Sequence, residues 1–474
     1  MSVCPERLFG RRQIFYDDVE ITRDNVREIV SQVMPVHRIN AAEISKLYQI
    51  YRGKMAILDK ARTVREDINN RITVAYANEI VTFKTGYLLG KPIQYVSRGE
   101  STADESEETS AEIETLNRYA GDCDKAAKDI ELAEWFHICG TSYRYVNVNS
   151  DAYDDESPFE IFTLDPRFTF VVYSTDTGNK PIFAVQICKR RKGDKITNVW
   201  TKNKLFKIYE IRGEELRITE EQHPLGRIPI IEYPANNARL GAFEIVLPLL
   251  DAINAAFSDL ADGREQFINA LLVIKGAKIT DEGFKMVREY GGIEVPADGD
   301  VKYLVSELNQ TQNGATIDLM IDTMLEIVGM PKRSGGNGGT SDNGVAIELR
   351  DGWADASSRA VASERMFKKS ENEFLRIALR ICEWRRGMKL GLSSVEPHFE
   401  RLDSSNILAK AQALVTMLQS GMVHPELCFE AVPIFSDPNN AYRMSKEYEE
   451  QRIAAEEQLL AESVEQHDHG GDAA

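Results

Sequence analysis

The 474-residue chain exceeds the size at which a single hydrophobic core stops growing, so we expect two or more domains. Its composition, 43% hydrophobic and 28% charged, is typical of a soluble folded protein, and no apolar run reaches the roughly 18 residues of a membrane span. The net charge of -18 excludes DNA binding by broad phosphate neutralisation. That charge is compatible with simple solubility, and also with a surface that must pass DNA without holding it.

The cysteines and the first residues indicate the compartment. Six cysteines are scattered without CxxC spacing: Cys4, Cys123, Cys139, Cys188, Cys382 and Cys428. The even number allows a disulfide set, but free thiols are expected in a long chain whose start lacks the apolar core of a secretory signal. We therefore expect assembly in a reducing cytoplasm.

Helical periodicity dominates the first 140 residues. Pro35 is expected to end the first of four predicted helices, and Gly90 and Pro92 to end the third. A strand is expected at 91–96, and a solvated acidic loop at 99–114. The four helices are predicted at 26–35, 41–62, 72–89 and 124–138.

From residue 141 to 233 apolar and polar residues alternate, which predicts an antiparallel sheet. Turn signals such as Asp165-Pro166-Arg167 and Thr177-Gly178-Asn179 separate its strands. A later strand at 395–402 is expected to return to this sheet. The strands are predicted at 142–148, 159–164, 168–173, 182–188, 198–200 and 204–211.

The central block is predicted to contain a helix, a small α/β insert and a second helix. The helices are expected at 243–267 and 316–330, and Pro331 stops the second because proline cannot continue a helix. The insert is expected to hold three strands and one short helix. These elements are predicted at 270–274, 281–290, 292–296 and 301–308.

A glycine-rich loop follows: Gly335-Gly336-Asn337-Gly338-Gly339-Thr340-Ser341-Asp342-Asn343-Gly344. Glycine allows backbone conformations that other residues avoid, so we expect a mobile segment. A phosphate-binding P-loop needs a preceding strand and a Lys-Ser/Thr pair after its last glycine. Here a helix precedes the loop and Val345-Ala346 follows it, so nucleotide binding is not expected.

A long helix is predicted from Gly344 to Arg386, about 60 Å of rod at the helical rise. Asp342 or Asn343 is expected to cap it, and an apolar stripe is expected along one face. The opposite face is predicted to be charged through Arg359, Glu364, Arg365, Lys368, Lys369 and Glu371. Helical segments at 405–421, 422–435 and 437–464 complete the chain.

Catalytic motifs are absent from the sequence. HExxH, Walker and nucleophile-elbow patterns are missing, and the acid pairs Asp154-Asp155 and Glu220-Glu221 are expected to be surface charge. His137 and Cys139 lie close together without further ligands, so a packed or surface histidine is expected rather than a metal site. We predict that the protein is not an enzyme and uses no cofactor or metal.

Several short sequence motifs occur in a characteristic order. The most specific is Thr85-Gly86-Tyr87-Leu88-Leu89-Gly90-Lys91-Pro92-Ile93. The others are Asn78-Glu79-Ile80-Val81, Pro229-Ile230-Ile231-Glu232-Tyr233, Leu249-Leu250-Asp251-Ala252-Ile253-Asn254, Ser258-Asp259, Ser405-Asn406 and Phe435-Ser436-Asp437-Pro438. From about Ala41 to Glu457 the chain thereby resembles the portal (head–tail connector) proteins of tailed double-stranded-DNA bacteriophages, of the siphophage type.

The resemblance implies an α+β fold with the parts of a portal subunit. These are a helical stem, a small α/β clip, a wing of antiparallel strands and a long helix, and an α-helical crown. The implied divisions are wing 1–240, stem helix 241–267, clip 268–311, stem helix 312–330, tunnel loop 331–343, long helix with returning wing strand 344–404, and crown with acidic tail 405–474.

The resemblance also implies the function. A ring, typically of twelve subunits, would form the channel at one capsid vertex through which double-stranded DNA is packaged and ejected. The implied partners are the terminase large subunit, the major capsid or scaffold protein and the head-completion (adaptor) protein, with no membrane. A minor capsid or scaffold-type structural protein that does not contact DNA is the alternative.

Two groups of residues follow from that comparison as candidate sites. The tunnel loop is expected to face DNA, with Lys332 and Arg333 as its cations. The alternative for these two residues is that they are ordinary solvated loop residues. The loop set is Lys332, Arg333, Ser334, Gly335, Gly336, Asn337, Gly338, Gly339, Thr340 and Ser341. The clip set, expected to contact terminase and connector proteins, is Lys275, Lys278, Asp281, Glu282, Lys285 and Arg288.

Overall fold

The computed structural model describes most of the chain and combines helices with antiparallel sheets, so the predicted α+β class is confirmed. None of the helices described is both long enough and apolar enough to cross a membrane. The described residues are 10–61, 67–98, 103–189, 194–212, 215–268, 271–275, 300–304, 310–332, 352–400, 407–432, 434–435 and 438–468.

Ten α-helices lie within the described residues, and the helix predicted to end at Pro35 instead continues through it. They are α1 (Val26–Tyr51), α2 (Tyr76–Leu88), α3 (Ala103–Asp122), α4 (Lys125–Cys139), α5 (Leu247–Ile268), α6 (Gln310–Val328), α7 (Trp353–Arg386), α8 (Ile407–Ser420), α9 (Pro425–Ala431) and α10 (Pro438–Asp468). A proline inside a helix costs about 3 kcal/mol. Apolar residues of α1 are buried on both sides of Pro35, among them Val33 and Ile44, and this packing outweighs the cost.

The strands form two larger sheets where one was predicted. The strands are β1 (Ile14–Tyr16), β2 (Gln94–Ser97), β3 (Thr141–Val148), β4 (Phe159–Leu164), β5 (Thr169–Ser174), β6 (Pro181–Lys189), β7 (Lys195–Trp200), β8 (Lys204–Glu210), β9 (Arg217–Gln222), β10 (Ile230–Pro234), β11 (Leu271–Lys275), β12 (Asp300–Leu304) and β13 (Val395–His398). One sheet has the order β1-β5-β6-β7-β8-β9 and the other β10-β3-β4. Strand β1, which was not predicted, pairs parallel with β5, whereas the other pairs are antiparallel.

Two further expectations about this half of the chain are wrong. The acidic stretch predicted as a loop forms most of α3, because its second half buries Leu116 and Tyr119 and the Asn117 amide pairs with the backbone of Tyr95. Strand β13 pairs with β2 and not with the earlier sheet. The sequence pattern shows that β13 is a strand but carries no information about its distant partner.

Separate cores hold the parts together. Helix α7 packs into the largest core with α4 and β10, through residues such as Phe136, Tyr233 and Phe367. A second core joins α1, α2, α5 and α6. Helices α8, α9 and α10 pack around a small cluster of their own that includes Leu414 and Phe429.

Parts of the central block lie outside the described residues. Strands β11 and β12 form an antiparallel pair within the predicted insert, and the predicted elements at 281–290 and 292–296 are not described. Helix α7 is described from Trp353, so the predicted caps Asp342 and Asn343 also lie outside.

Candidate functional site

Helices α5 and α6 form a pair that supports the glycine-rich loop. Helix α6, which follows strands β11 and β12, runs antiparallel to α5. The end of α6 packs beside the residues that precede α5. Leu250 and Ile253 of α5 share a core with Met324 and Val328 of α6. The end of α6, from which the loop departs, is therefore held by apolar packing.

A polar ladder on α5 binds the extended segment 70–74, which precedes α2. The hydrogen bonds run from the N–H of Val74 to Asn254 Oδ1 at 2.7 Å, of Ile72 to Ser258 Oγ at 2.9 Å and of Asn70 to Asp262 Oδ1 at 2.6 Å. Every second residue of the segment meets every fourth residue of the helix. The spacings match, because two extended residues span about 6.6 Å and four helical residues about 6 Å.

This ladder fixes the rotation of α5 about its own axis. The apolar side of α5 faces α6, the ladder occupies a second side, and a third side remains open. The sequence analysis named Asn254 and Ser258 only as parts of the motifs that carry the family resemblance, and it predicted no structural role for them. A four-residue spacing of buried polar residues beside an apolar stripe is the signal that marks them.

We expect that Asn254→Ala combined with Ser258→Ala releases segment 70–74. Each lost hydrogen bond is worth about 1 kcal/mol, so the free energy of unfolding falls by about 2 kcal/mol. Amide hydrogen exchange at Ile72 and Val74 should accelerate, while Asp251→Ala on an exposed position of α5 should leave it unchanged. Unchanged exchange in the double variant would show that the ladder does not hold the segment.

The two ends of the loop segment meet at one place. Gly352, the residue before α7, has a φ of 85° and lies against the end of α6. A Cβ at Gly352 would lie 3.8 Å from Pro331 Cα and 3.9 Å from the Met330 carbonyl oxygen. The chain therefore leaves at Pro331 and returns to the same point at Gly352.

An arginine of α7 locks this junction. Arg359 donates hydrogen bonds to the carbonyl oxygens of Ile327 at 2.6 Å and Glu326 at 3.4 Å, and its Nε lies 3.0 Å from Asp355. These carbonyls are at the end of α6, where helices expose unpaired acceptors and partial negative charge. Gly329, with a φ of 67°, leaves room for the arginine, since a Cβ there would lie 2.3 Å from Arg359 Cδ.

Aromatic packing covers the other side of the junction. Trp353 lies 6.1 Å from Phe83 and 6.0 Å from Tyr87, measured between ring centroids. Beside them, burial and the charge of Arg359 lower the pKa of Lys84 to about 8. The start of α7 is therefore held against α2 as well as against α6.

Of the predicted loop residues, the structure describes Lys332 alone. Its Nζ lies 3.4 Å from Asp322 of α6, and the two side chains are 42% and 48% exposed. Such a surface ion pair contributes about 0–1 kcal/mol. Outside the described residues lie Arg333, Ser334, Gly335, Gly336, Asn337, Gly338, Gly339, Thr340 and Ser341.

The predicted clip residues are likewise mostly outside the described residues. Lys275 ends β11 and is paired in register with Asp300 of β12. The remaining members are not described: Lys278, Asp281, Glu282, Lys285 and Arg288. Their contacts with other proteins stay a prediction.

A buried charge cluster joins α4, β3 and α7. Lys125 Nζ lies 2.6 Å from Asp129 and 2.8 Å from Glu371, and Arg144 bonds Asp129 and lies 3.1 Å from Glu371. The hydroxyls of two buried tyrosines also donate to the Glu371 carboxylate. These contacts tie α7 to the sheet that it crosses.

The placement of Glu371 corrects the prediction that it lies on the charged, solvated face of α7. Its side chain is fully buried. The spacing of Phe367, Glu371, Phe374 and Ala378 puts Glu371 on the apolar stripe, and this was the available signal. Burial acts to raise the pKa of Glu371, but the charges of Lys125 and Arg144 outweigh it and lower the pKa to about 2.

Metal ligation finds no support in the part of the chain that is described, where no group of three or more His, Cys, Asp or Glu residues could hold an ion. His137 and Cys139, near each other in sequence, are both buried in the helix-packed interior. Burial lowers the pKa of His137 to about 3, so this imidazole is neutral.

Comparison with known proteins identifies the family. A search of the curated proteins found no match. The family model for phage portal proteins of the SPP1 Gp6-like type matches residues 35–461. Because that match covers most of the 474 residues, the chain belongs to the SPP1 Gp6-like family of phage portal proteins.

Proposed function

We propose that this portal protein forms a closed ring at one capsid vertex, and that double-stranded DNA is packaged and ejected through its central channel. The observation that carries the proposal is the junction of Pro331 and Gly352. Because both ends of the segment 333–351 meet there, the segment can enter a channel while α6 and α7 stay in place. The family match supports the same role.

The assignment of parts follows the divisions expected from the sequence. Helices α5 and α6 form the stem, residues 331–343 the tunnel loop, and residues 405–474 the crown. The clip, 268–311, contacts the terminase large subunit during packaging and the head-completion protein afterwards. The wing, with the long helix, meets the major capsid or scaffold protein.

The charges of α6 are compatible with a passive conduit. Asp318, Asp322 and Glu326 lie at the surface of α6, and Lys332 follows at its end. Carboxylates repel DNA phosphates and so prevent strong, static contacts, while a few cations keep the duplex centred. The weak pair of Lys332 with Asp322 lets the lysine exchange its carboxylate for a passing phosphate.

Negative-stain imaging of the purified protein, after sizing, tests the proposal. We expect rings whose central hole is about as wide as a DNA duplex, typically with twelve subunits. Rings or shells without an open channel would favour a minor capsid or scaffold protein. A monomer with ATP- or metal-dependent turnover would contradict both.

We expect that Lys332→Glu combined with Arg333→Glu reduces DNA packaging several-fold and leaves the ring intact. The reversal replaces attraction to phosphate by repulsion at the loop. Packaged DNA per particle and ring images measure the two effects. The matched control is Lys180→Glu with Lys202→Glu, which changes the net charge equally at two exposed positions outside the strands. Equal packaging in both variants would mean that the loop cations do not act on DNA.

A further inference from the structure

The N-terminal segment 10–16, which we call the latch, runs from the six-stranded sheet to the residues that lead into α5. At one end, strand β1 pairs with β5, and Ile14 is buried in the core that α1 shares with this sheet. At the other end, Gly10 and Arg11 lie against the connector 235–246, which joins β10 to α5. The latch therefore contacts both the sheet and the start of the helix.

A buried carboxylate of the connector holds the free end of the latch. Glu244 Oε1 accepts hydrogen bonds from the N–H of Gly10 at 3.2 Å and from Arg11 Nη2 at 2.5 Å. Its other oxygen accepts the N–H of Gly241 at 2.9 Å, within the connector itself. The side chains of Arg11 and Glu244 are 1% and 0% exposed, so water does not weaken this ion pair.

The backbones of the latch and the connector also touch directly. The N–H of Arg11 donates to the carbonyl oxygen of Arg239 at 3.2 Å. Gly10 has a φ of 83°, and a Cβ added there would lie 1.9 Å from the carbonyl oxygen of Ala238. Because that distance is far below a van der Waals contact, only glycine allows the latch to approach the connector at this point.

The two ends of the latch are held by different forces. Around Arg12 the contacts are polar: Asn40 Oδ1 accepts its N–H at 3.0 Å, Asn40 Nδ2 donates to its carbonyl oxygen at 2.8 Å, and Glu43 pairs with its side chain at 2.8 Å. Ile14 is held instead by apolar burial. Water can replace polar partners but not apolar ones, so residues 10–12 can separate while β1 stays in place.

We propose that the latch closes the joint between the six-stranded sheet and α5, and that release of residues 10–12 lets the start of α5 move. Glu244 lies just before α5. Among the described residues, its carboxylate would then keep only the Gly241 N–H as a hydrogen-bond donor. A buried charge without its partner is unfavourable, so the connector rearranges until water reaches the carboxylate, and α5 turns with it.

Helix α4 also holds the connector. The N–H of Ala242 donates to the carbonyl oxygen of His137 at 2.7 Å. If this contact were sufficient, removal of the latch would leave the connector unchanged. Amide hydrogen exchange in the connector separates the two cases. It is measured on the full chain whether or not the chain forms rings, so its outcome is independent of the proposed channel.

Gly10→Ala tests the latch without altering the connector. The added Cβ has no room, so the amides of Arg11, Gly241 and Val246 should exchange at least about ten-fold faster than in the wild-type protein. The matched control is Gly53→Ala. Gly53 has a φ of 86°, but a Cβ there would have no atom within 4 Å, so it adds backbone strain without a clash. Wild-type exchange at Gly241 and Val246 in Gly10→Ala would overturn the proposal.

Variants of Arg11 decide the question if Gly10→Ala unfolds the whole protein, which fast exchange in the buried strand β7 would reveal. Arg11→Met removes the buried positive charge and should accelerate exchange at Gly241 and Val246. Arg11→Lys restores a positive charge and should return both rates towards those of the wild-type protein. The proposal is overturned if Arg11→Met exchanges like the wild-type protein, or if Arg11→Lys exchanges as fast as Arg11→Met.

Discussion

Deletion of Gly335–Gly339 is expected to leave the ring intact and to remove most of its ability to retain packaged DNA. The ring persists because the deleted residues lie between two ends that are already joined. Pro331 lies against Gly352, and Arg359 binds the last carbonyls of α6. A shorter loop no longer reaches the duplex, so DNA held by the channel escapes.

The measurements are ring images of the variant and DNA content of filled particles. A same-length replacement of Gly335–Gly339 by five serines separates the effect of loop length from that of sequence. Such linkers stay flexible, so this control should retain DNA. Loss of the ring in the deletion variant would show instead that the loop is part of the subunit contact.

Removal of the buried carboxylate Glu371 is expected to destabilise the fold strongly. In Glu371→Gln, Lys125 and Arg144 share the single carboxylate of Asp129, and buried positive charge is left uncompensated. Breaking a buried pair in this way costs about 3–5 kcal/mol. Urea unfolding measures the loss, and Glu383→Gln, at an exposed position of the same helix, is the control. Equal midpoints for both variants would contradict the prediction.

The Glu371 carboxylate also makes the free energy of unfolding depend on pH under acidic conditions. The pKa of Glu371 falls from 4.5 to about 2 in the fold, so its ionised form stabilises the native state. This contribution is fully present above pH 4.5 and is lost as the pH falls from there towards about 2. Urea midpoints across this range should fall more steeply for wild-type protein than for Glu371→Gln. Parallel curves would show that Glu371 does not carry the dependence.

Much of the local structure follows from periodicity. The four-residue spacing of apolar residues predicted the helices now described as α2, α4, α5 and α6, and the alternating pattern predicted most strands between 141 and 233. Pro331 marks the end of the α6 prediction, since proline cannot continue a helix. These signals are local, because the spacing of apolar residues shows only which side of their own helix or strand is buried.

The failures share one physical cause. Helix propensity predicts that α1 ends at Pro35, because a proline loses one helical hydrogen bond. Propensity does not include the burial of apolar α1 residues before and after Pro35. Glu371 was placed on the solvated face because charge suggested water, whereas Lys125 and Arg144 supply its partners from distant parts of the chain. Local rules cannot weigh contacts that exist only after folding.

By itself the sequence determined the family, the order of helices and strands, and the position of the glycine-rich loop between a proline-stopped helix and a long helix. Only the tertiary structure decided that Pro331 and Gly352 meet and that Arg359 bonds the carbonyl of Ile327, which is 32 residues away in sequence. Spacing along the chain reports which face of an element is apolar. Which faces meet depends on how all the elements pack together, because packing balances burial against chain entropy over the whole molecule.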